Sequence, residues 1–523
     1  MFFNRLFSAS CSPSFSSPFS VTVIAPRRGI AEDLGRARED LTCEDLQSRD
    51  PRQNRSAQTR VGLFRAAVAL ALTLRVAFVS LPAKDALTFH SGGSDAPSYV
   101  LLAHNLLAHL GYTYAGQPTA VRPPGYPLLL ASAMSIFGGK YILALRGLQF
   151  VLGILTVAIC AATARQLFGK TAGKASLLIG LFLPTLIFTT AQVLTECLAA
   201  FLTAVFLHNL ILQRERQDSV SAWRMAFAAG LASIVRFNAA ALPLFAAFAI
   251  LRGEKSRGEE RSRSAHPDSA NVSAHRGQRR GWKRLTVVRG GGKKPTPSKR
   301  LAIVLGVPLL IVSPWLIRNE LAFHGEVLYS TQSGPNAVQG VLTSQGRTQP
   351  GDTGKLRSHL GWGLRDIETN SPARLTLPSE AELDRRALLL VPDLWSREGL
   401  YALALLGKKV SDFWLSLDQL TGTSSLPLSD RGMRFAGVLA YWGALLMAIL
   451  GWRALRQTHA RIAAVLLWYA AGFTLLHLPL VMNTRLRIPL LEPLLVMLAG
   501  AGWCSVVERW RSQRAASHAS VAI

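Results

Sequence analysis

Charge is scarce in this sequence. Only 17% of its 523 residues are Asp, Glu, Lys or Arg, against about 25% in a soluble domain. With 49% apolar residues and a mean hydropathy of +0.24, the chain lacks the polar surface to wrap such a core in water. It needs lipid as a second solvent, and its apolar content excludes a disordered chain. Acids are the scarcer sign, 31 against 58 Lys and Arg, for a net charge of +27. The five cysteines, Cys11, Cys43, Cys160, Cys197 and Cys504, form no CxxC pair, which indicates neither a disulfide framework nor a zinc site. Gly290 to Lys294 lacks the P-loop spacing, and His90, His104, His109 and Asp95 match no helical zinc motif. No cofactor and no metal are expected.

The apolar residues cluster in runs of about the 20 residues that cross a bilayer. These occupy 61–82, 141–167, 173–189, 190–212, 222–236, 238–251, 301–317, 433–452, 460–481 and 486–506. The expected fold is all-α, a polytopic integral membrane protein of about ten transmembrane helices, with 173–212 and 222–251 as tight hairpins. Residues 1–59 are expected to be a disordered cytoplasmic tail, or else to follow from an upstream start site. The block 252–300 holds 15 Lys and Arg against 4 acids and reads as a disordered cytoplasmic loop that sets topology. Nucleic-acid or headgroup binding is the alternative use of such a run. With the N-terminus inside, Lys170–Lys174, Arg214–Arg216, Arg453–Arg461 and Arg509–Arg514 all fall on the cytoplasmic side, as the positive-inside rule requires.

The domain order follows. A transmembrane region spans 60–251 with a first extracytoplasmic loop at 83–140, the basic loop covers 252–300, and a helix covers 301–317. A long fourth extracytoplasmic loop spans 318–432, the last transmembrane helices 433–506, and a cytoplasmic tail 507–523. Interfacial helices are expected in both outer loops. In the second, Leu383, Ala387, Leu390 and Leu394, then Leu406, Val410, Phe413 and Leu417, repeat at helical spacing and predict two amphipathic helices lying on the membrane. The stretch 351–363 reads as irregular loop.

Within 83–140 the only acids are Asp85 and Asp95. Asp95 precedes the amphipathic run Tyr99–Leu110 and is either a helix N-cap or a functional carboxylate. The short apolar run Leu128–Phe137, entered through Arg122-Pro-Pro-Gly-Tyr-Pro127, predicts a re-entrant or interfacial helix. Arg122, Arg236, Arg318, Arg485 and Arg487 all fall at outer ends of spans, where arginine is the exception. Each alone serves as an interfacial anchor; together they point to one anionic ligand, best a phosphate. Glu196 and Glu492 are either functional intramembrane acids or partners of these arginines.

Asp95 with Tyr99, Gly111-Tyr-Thr-Tyr114, Arg122-Pro-Pro-Gly-Tyr-Pro127, Phe137-Gly138, Arg146-Gly-Leu-Gln149 and Phe168-Gly169 follow one another in a familiar order. Pro314-Trp-Leu-Ile-Arg-Asn319, Gly334-Pro-Asn336 and Asn483-Thr-Arg-Leu-Arg-Ile-Pro489 complete it. From about 60 to 506 the chain resembles the bacterial family 39 glycosyltransferases of the C-type superfamily, which includes protein O-mannosyltransferases and the aminoarabinose transferase of lipid A. It departs from them at Ala96, where a second acid is common, at Pro335 and Leu486, and in the 252–300 insertion.

The resemblance implies an integral membrane inverting glycosyltransferase. Its partners are a polyprenyl-phosphate-linked sugar donor, an extracytoplasmic acceptor and membrane lipid, and no nucleic acid. It implies Asp95 as the base and Arg122, Arg236, Arg318, Arg485 and Arg487 as phosphate ligands, the last two foremost, with Tyr99 and Asn336 lining the sugar or acceptor site. It places the protein in the bacterial inner or plasma membrane with both termini cytoplasmic and the active site extracytoplasmic. A transporter or flippase of a lipid-linked anion is the rival reading, and a non-catalytic assembly or sensor protein a third.

Overall fold

A computed structural model describes residues 51–80, 95–114, 116–264, 295–344, 379–397, 400–417, 431–480, 482 and 484–521. The chain divides into a unit of residues 1–66, described only as the start of a helix, and a unit Ala67–Ile523. Except for one two-stranded antiparallel pair the described structure is helical.

Helix α1 is Pro51–Val79, so it begins inside the segment expected to be a tail. The first loop holds α2, Ala96–Leu107, and the strands β1, Thr113–Tyr114, and β2, Gln117–Pro118. The strands pair with Thr113 opposite Pro118. Helix α3, Gly125–Phe137, is the expected short apolar helix, and a 3-10 turn at Gly138–Lys140 leads from it into α4, Tyr141–Phe168. Then come α5, Lys170–Phe182, α6, Pro184–Phe188, α7, Glu196–Arg216, α8, Ser219–Val235, and α9, Leu242–Ser264. Helix α10 is Pro297–Phe323. The segment between α10 and the last three helices holds α11, Ser333–Ser344, α12, Glu380–Ser396, and α13, Tyr401–Leu415. The chain ends in α14, Arg431–Thr458, α15, Ala460–His477, and α16, Thr484–Val521.

Seven stretches of the described residues are helical, long and apolar enough to cross a membrane, and Ser219–Val235 and Phe237–Gly253 are shorter apolar helices. The all-α polytopic membrane fold is as expected. The hairpin assigned to 173–212 is not. Leu183 is extended ahead of Pro184 and ends α5, and residues 189–195 are non-helical although buried. Their carbonyls are met by side chains. Gln149 Nε2 donates to Thr189 O at 3.0 Å and Gln192 O at 2.7 Å, and Arg146 Nε donates to Ala191 O at 2.9 Å. Irregular backbone at membrane depth survives only when so satisfied. Arg75 of α1 does the same for the broken end of α5, donating to Gly180 O at 2.7 Å and Leu181 O at 3.0 Å.

The block 252–300 also needs correction. Helix α9 runs into it as far as Ser264, and α10 starts at Pro297. Residues 265–294 lie outside the described residues, as do Asp85, His90 and the expected loop 351–363. Pro392 lies inside α12. Leu383, Ala387 and Leu394 of that helix pack against Leu102 and Tyr114 of the first loop and Val338, Val341 and Leu342 of α11. Helices α11 and α12 therefore form a cap joined to the loop that carries Asp95.

Candidate functional site

Asp95 stands at the N-cap position of α2, but its backbone is helical (φ −74°, ψ −10°) and its side chain makes no capping bond. Capping is excluded as its role. Pro97 opens the helix without a lost hydrogen bond, and Ser98 Oγ donates to Asp95 O at 2.7 Å. The carboxylate is thereby free to reach away from its own helix. Oδ1 lies 2.8 Å from Arg122 Nη2, and Oδ2 lies 2.8 Å from Arg485 Nη2.

The two arginines come from opposite ends of the sequence. Arg122 sits between β2 and α3, where its Nε donates to Ser98 Oγ at 3.1 Å and its guanidinium lies 5.3 Å from the centre of the Tyr99 ring. Tyr99 is buried edge-on against Tyr126, and Tyr126 bonds Gln149 Oε1 at 3.3 Å. Arg485, at the start of α16, bridges two acids, since its Nε also donates to Glu196 Oε1 at 2.9 Å. Arg236, extended between α8 and the following 3-10 turn, meets the same oxygen at 3.2 Å and Thr195 Oγ1 at 2.7 Å.

Three guanidiniums and two carboxylates thus share one site. Glu196 is its floor, 1% exposed with Oε2 accepting no hydrogen bond among the described residues, and Asp95 is its open side, 28% exposed. Burial by itself raises the Asp95 pKa, but the charges of Arg122 and Arg485 outweigh it and hold the carboxyl down to about 2. Burial also raises Tyr99, so its phenol keeps its proton.

Two expected phosphate ligands lie elsewhere. Arg487 is fully buried, stacked 4.2 Å over the Tyr441 ring, and donates to Phe413 O at 2.7 Å and Trp414 O at 3.0 Å, with Glu492 at 3.4 Å. It ties α13 to α16. Residues two apart on a helix point to different sides, so Arg485 and Arg487 cannot share one ligand face. Arg318 donates to Tyr112 O at 2.7 Å and Thr119 O at 2.8 Å, bracing both sides of the β1–β2 hairpin. Tyr112 in turn donates to Arg122 O at 2.9 Å, which makes Arg318 a support for Arg122. It also edges an open apolar groove of about 660 Å³ with Pro314, Ile317, Leu321 and Ala322. Asn336 lies in α11, half-buried in the cap. Glu196 pairs with arginines and Glu492 with Arg487, as the structural alternative held. Ser98 and Thr195 were missed, because a hydroxyl beside a guanidinium leaves no mark in sequence. Among the described residues no group of three His, Cys, Asp or Glu gathers to hold a metal.

Residues 121–266 match the family model for dolichyl-phosphate-mannose-protein mannosyltransferases. Over that stretch the resemblance to C-type glycosyltransferases holds, and it takes in Arg122, Glu196 and Arg236 but not Asp95 or Arg485. Among solved structures, the chain is similar to the oligosaccharyltransferase AglB of Archaeoglobus fulgidus in complex with an inhibitory peptide and a dolichol-phosphate. The identity is 13% over 87% of this chain and 52% of that one, with a TM-score of 0.46. It is also similar to ArnT of Cupriavidus metallidurans bound to undecaprenyl phosphate, at 16% identity over 85% of this chain and 78% of that one, with a TM-score of 0.35. The chain spans about half the length of AglB. No curated protein matches.

Proposed function

We propose that this protein is an inverting glycosyltransferase that moves a sugar from a polyprenyl-phosphate carrier to an acceptor on the extracytoplasmic face, with Asp95 as the base. The observation that carries the reading is the suspension of one partly exposed carboxylate between Arg122 and Arg485 at an end of the helical bundle. A single displacement needs one carboxylate where a retaining mechanism needs two. The acceptor hydroxyl gives its proton to Asp95, its oxygen bonds the anomeric carbon, and the carbon–oxygen bond to phosphate breaks with its electron pair leaving on the phosphate. Three arginines against two acids leave the cluster one positive charge in excess, which favours the charge that grows on that phosphate. The exposed Ile317 and Leu321 in the groove beside Arg318 offer apolar wall for the carrier's isoprenoid chain.

A carboxyl held near 2 is a weak base. The site therefore works only once the donor phosphate draws guanidinium charge away from Asp95, which ties activation of the acceptor to the presence of the donor. The test uses membranes carrying wild type or Asp95→Asn, supplied with polyprenyl-phosphate-linked radiolabelled sugars, and scores release of sugar from the carrier. The substitution is expected to lower the rate by about 10² to 10⁴, the range for loss of a general base, at unchanged expression. Equal release by the variant would remove Asp95 from the chemistry. Movement of intact donor across the membrane without release would make the protein a transporter.

A further inference from the structure

Gln149 lies on α4, 1% exposed, in the stretch Arg146-Gly-Leu-Gln149 that the proposed chemistry leaves unused. Its amide nitrogen donates one hydrogen to Thr189 O at 3.0 Å and the other to Gln192 O at 2.7 Å, and Oε1 accepts from the Tyr126 hydroxyl at 3.3 Å. The two carbonyls fix which end of the amide is nitrogen. Holding the carbonyls of a buried irregular segment is a structural task. Arg146 shares it, donating to Ala191 O at 2.9 Å and to Val79 O of α1 at 3.3 Å. Gln149 joins the same segment to the rings of the site instead.

The two ends of this tie lead to different halves of the site. Tyr126 meets the Tyr99 ring edge-on at 5.2 Å, Tyr99 lies 5.3 Å from the Arg122 guanidinium, and Arg122 holds Asp95 Oδ1. On the other side the segment runs on through Val193 and Leu194 to Thr195 and Glu196, which hold Arg236 and Arg485. Val193 and Leu194 pack with Ala96, Tyr99 and Tyr126 in one buried cluster. The thiol of Cys197, next after Glu196, donates to the Gln149 carbonyl at 3.1 Å, so Gln149 meets the chain both before and after Glu196.

The halves meet again at the pair of Arg485 with Asp95. A donor phosphate that draws Arg485 away would remove that contact, so the spacing of the base from the arginines during turnover must rest on bonds that the substrate does not disturb. The Gln149 tie is of this kind, since it is buried and its partners are a phenol and backbone carbonyls.

We propose that Gln149 is a positioning residue that sets the spacing between Asp95 and the arginines held on Glu196, through Tyr126 on one side and the carbonyls of Thr189 and Gln192 on the other. It touches no reacting atom. Its kinetic consequence rests on the function proposed above; its geometric consequence does not.

The test compares full-length wild type, Gln149→Met, Tyr126→Phe and the double variant in phosphatidylcholine nanodiscs. Met keeps the length and loses the amide, while Phe keeps the ring, loses the hydroxyl and leaves both carbonyls bonded. The first readout is the infrared carboxyl band that Asp95→Asn removes, followed against pH. The Asp95 carboxyl, set among Arg122, Arg485, Arg236 and Glu196, is held to about 2 in wild type. With Arg485 loosened, its midpoint is expected to rise toward the ordinary value near 4 in Gln149→Met and by less in Tyr126→Phe. The double variant should go no further than Gln149→Met, because both substitutions break one tie. The second readout is sugar release per folded molecule. In Gln149→Met kcat is expected to fall by about 10²-fold, the effect of a small misplacement, with the donor KM held because each half keeps its own ligands.

A midpoint unmoved in both single variants would overturn the positioning role, whatever the kinetics. So would a midpoint that moves in Gln149→Met alone, the mark of carbonyls left without donors in a structural role, or a rise in donor KM at unchanged kcat. Should Gln149→Met fail to fold, Tyr126→Phe decides alone, a raised midpoint supporting the tie and an unmoved one refuting it. Raised midpoints in a wild-type background that releases no sugar would sink the transferase reading and leave the role of Gln149 standing.

Discussion

In the resting site each oxygen of Asp95 faces a guanidinium 2.8 Å away, and the carboxyl is held to about 2 instead of its usual value near 4. A depressed carboxylate stabilises the folded state above the ordinary pKa and loses that contribution as pH falls toward the folded value. Asp95 is therefore ionised across the working range. Because kcat/KM reports the free enzyme and kcat the loaded one, the two profiles are expected to differ. The profile of kcat/KM should show no acid limb from Asp95 between about pH 4 and 7. The profile of kcat should show one, moved upward by the phosphate that takes charge from Arg122 and Arg485. Superimposed acid limbs in the two profiles would mean that the arginines never leave the carboxylate. The residue types of this site were legible from sequence, and so was their gathering at one end of the bundle. The division of labour was not. Arg485 and Arg487 look alike on paper, and only the pitch of α16 sends one to Asp95 and the other under α13.

At the scale of elements, what was legible followed apolar spacing and what was not followed partners far off in the chain. The leucine spacing found both α12 and α13. It missed α11, because Gly334-Pro-Asn336 reads as a turn. The amide of Gly334 is met by Asp384 from α12, a cap that another element supplies. The spacing gives α13 an apolar face of Leu406, Val410, Phe413 and Leu417, of which Phe413 and Leu417 are buried, while Leu405 and Lys409 are more buried than Leu406 and Val410. The crossing of α14 and α16 makes a sharper claim. A Cβ at Gly502 would run into the Met447 carbonyl and one at Gly451 into that of Leu498, so the two backbones touch through glycine. Gly502→Leu must push the helices apart, and the cost is expected to exceed the ~1–3 kcal/mol of ordinary overpacking because backbone has to move. Monodisperse yield and Tm in detergent should fall together. Gly443→Leu, on α14 with nothing within 4 Å of the added Cβ, should be tolerated. Similar losses from both would refute the close crossing.

Across the whole molecule, charge sorts the ends of the bundle. Lys170, Lys174, Arg214, Arg216, Arg453, Arg456 and Arg461 stand where helices begin or end, at turns other than those beside Asp95 and Arg236 and the end of α10 beside Arg318. The basic turns are the ones the positive-inside rule keeps in the cytoplasm, which would put the arginine cluster and its cap outside. An arginine cluster outside runs against that rule and is sustained by pairing, since Glu196 and Asp95 neutralise two of its three charges. Sidedness can be read directly in a cysteine-free background. Cysteine placed at Asp393, on the exposed face of the cap, is expected to react with an impermeant thiol reagent added to intact cells or spheroplasts. Cysteine at Arg456 should react only after the membrane is opened. The reverse pattern would put the carboxylate and its arginines in the cytoplasm, where a carrier displaying its sugar outside could not reach them, and the transferase reading would fall with the topology.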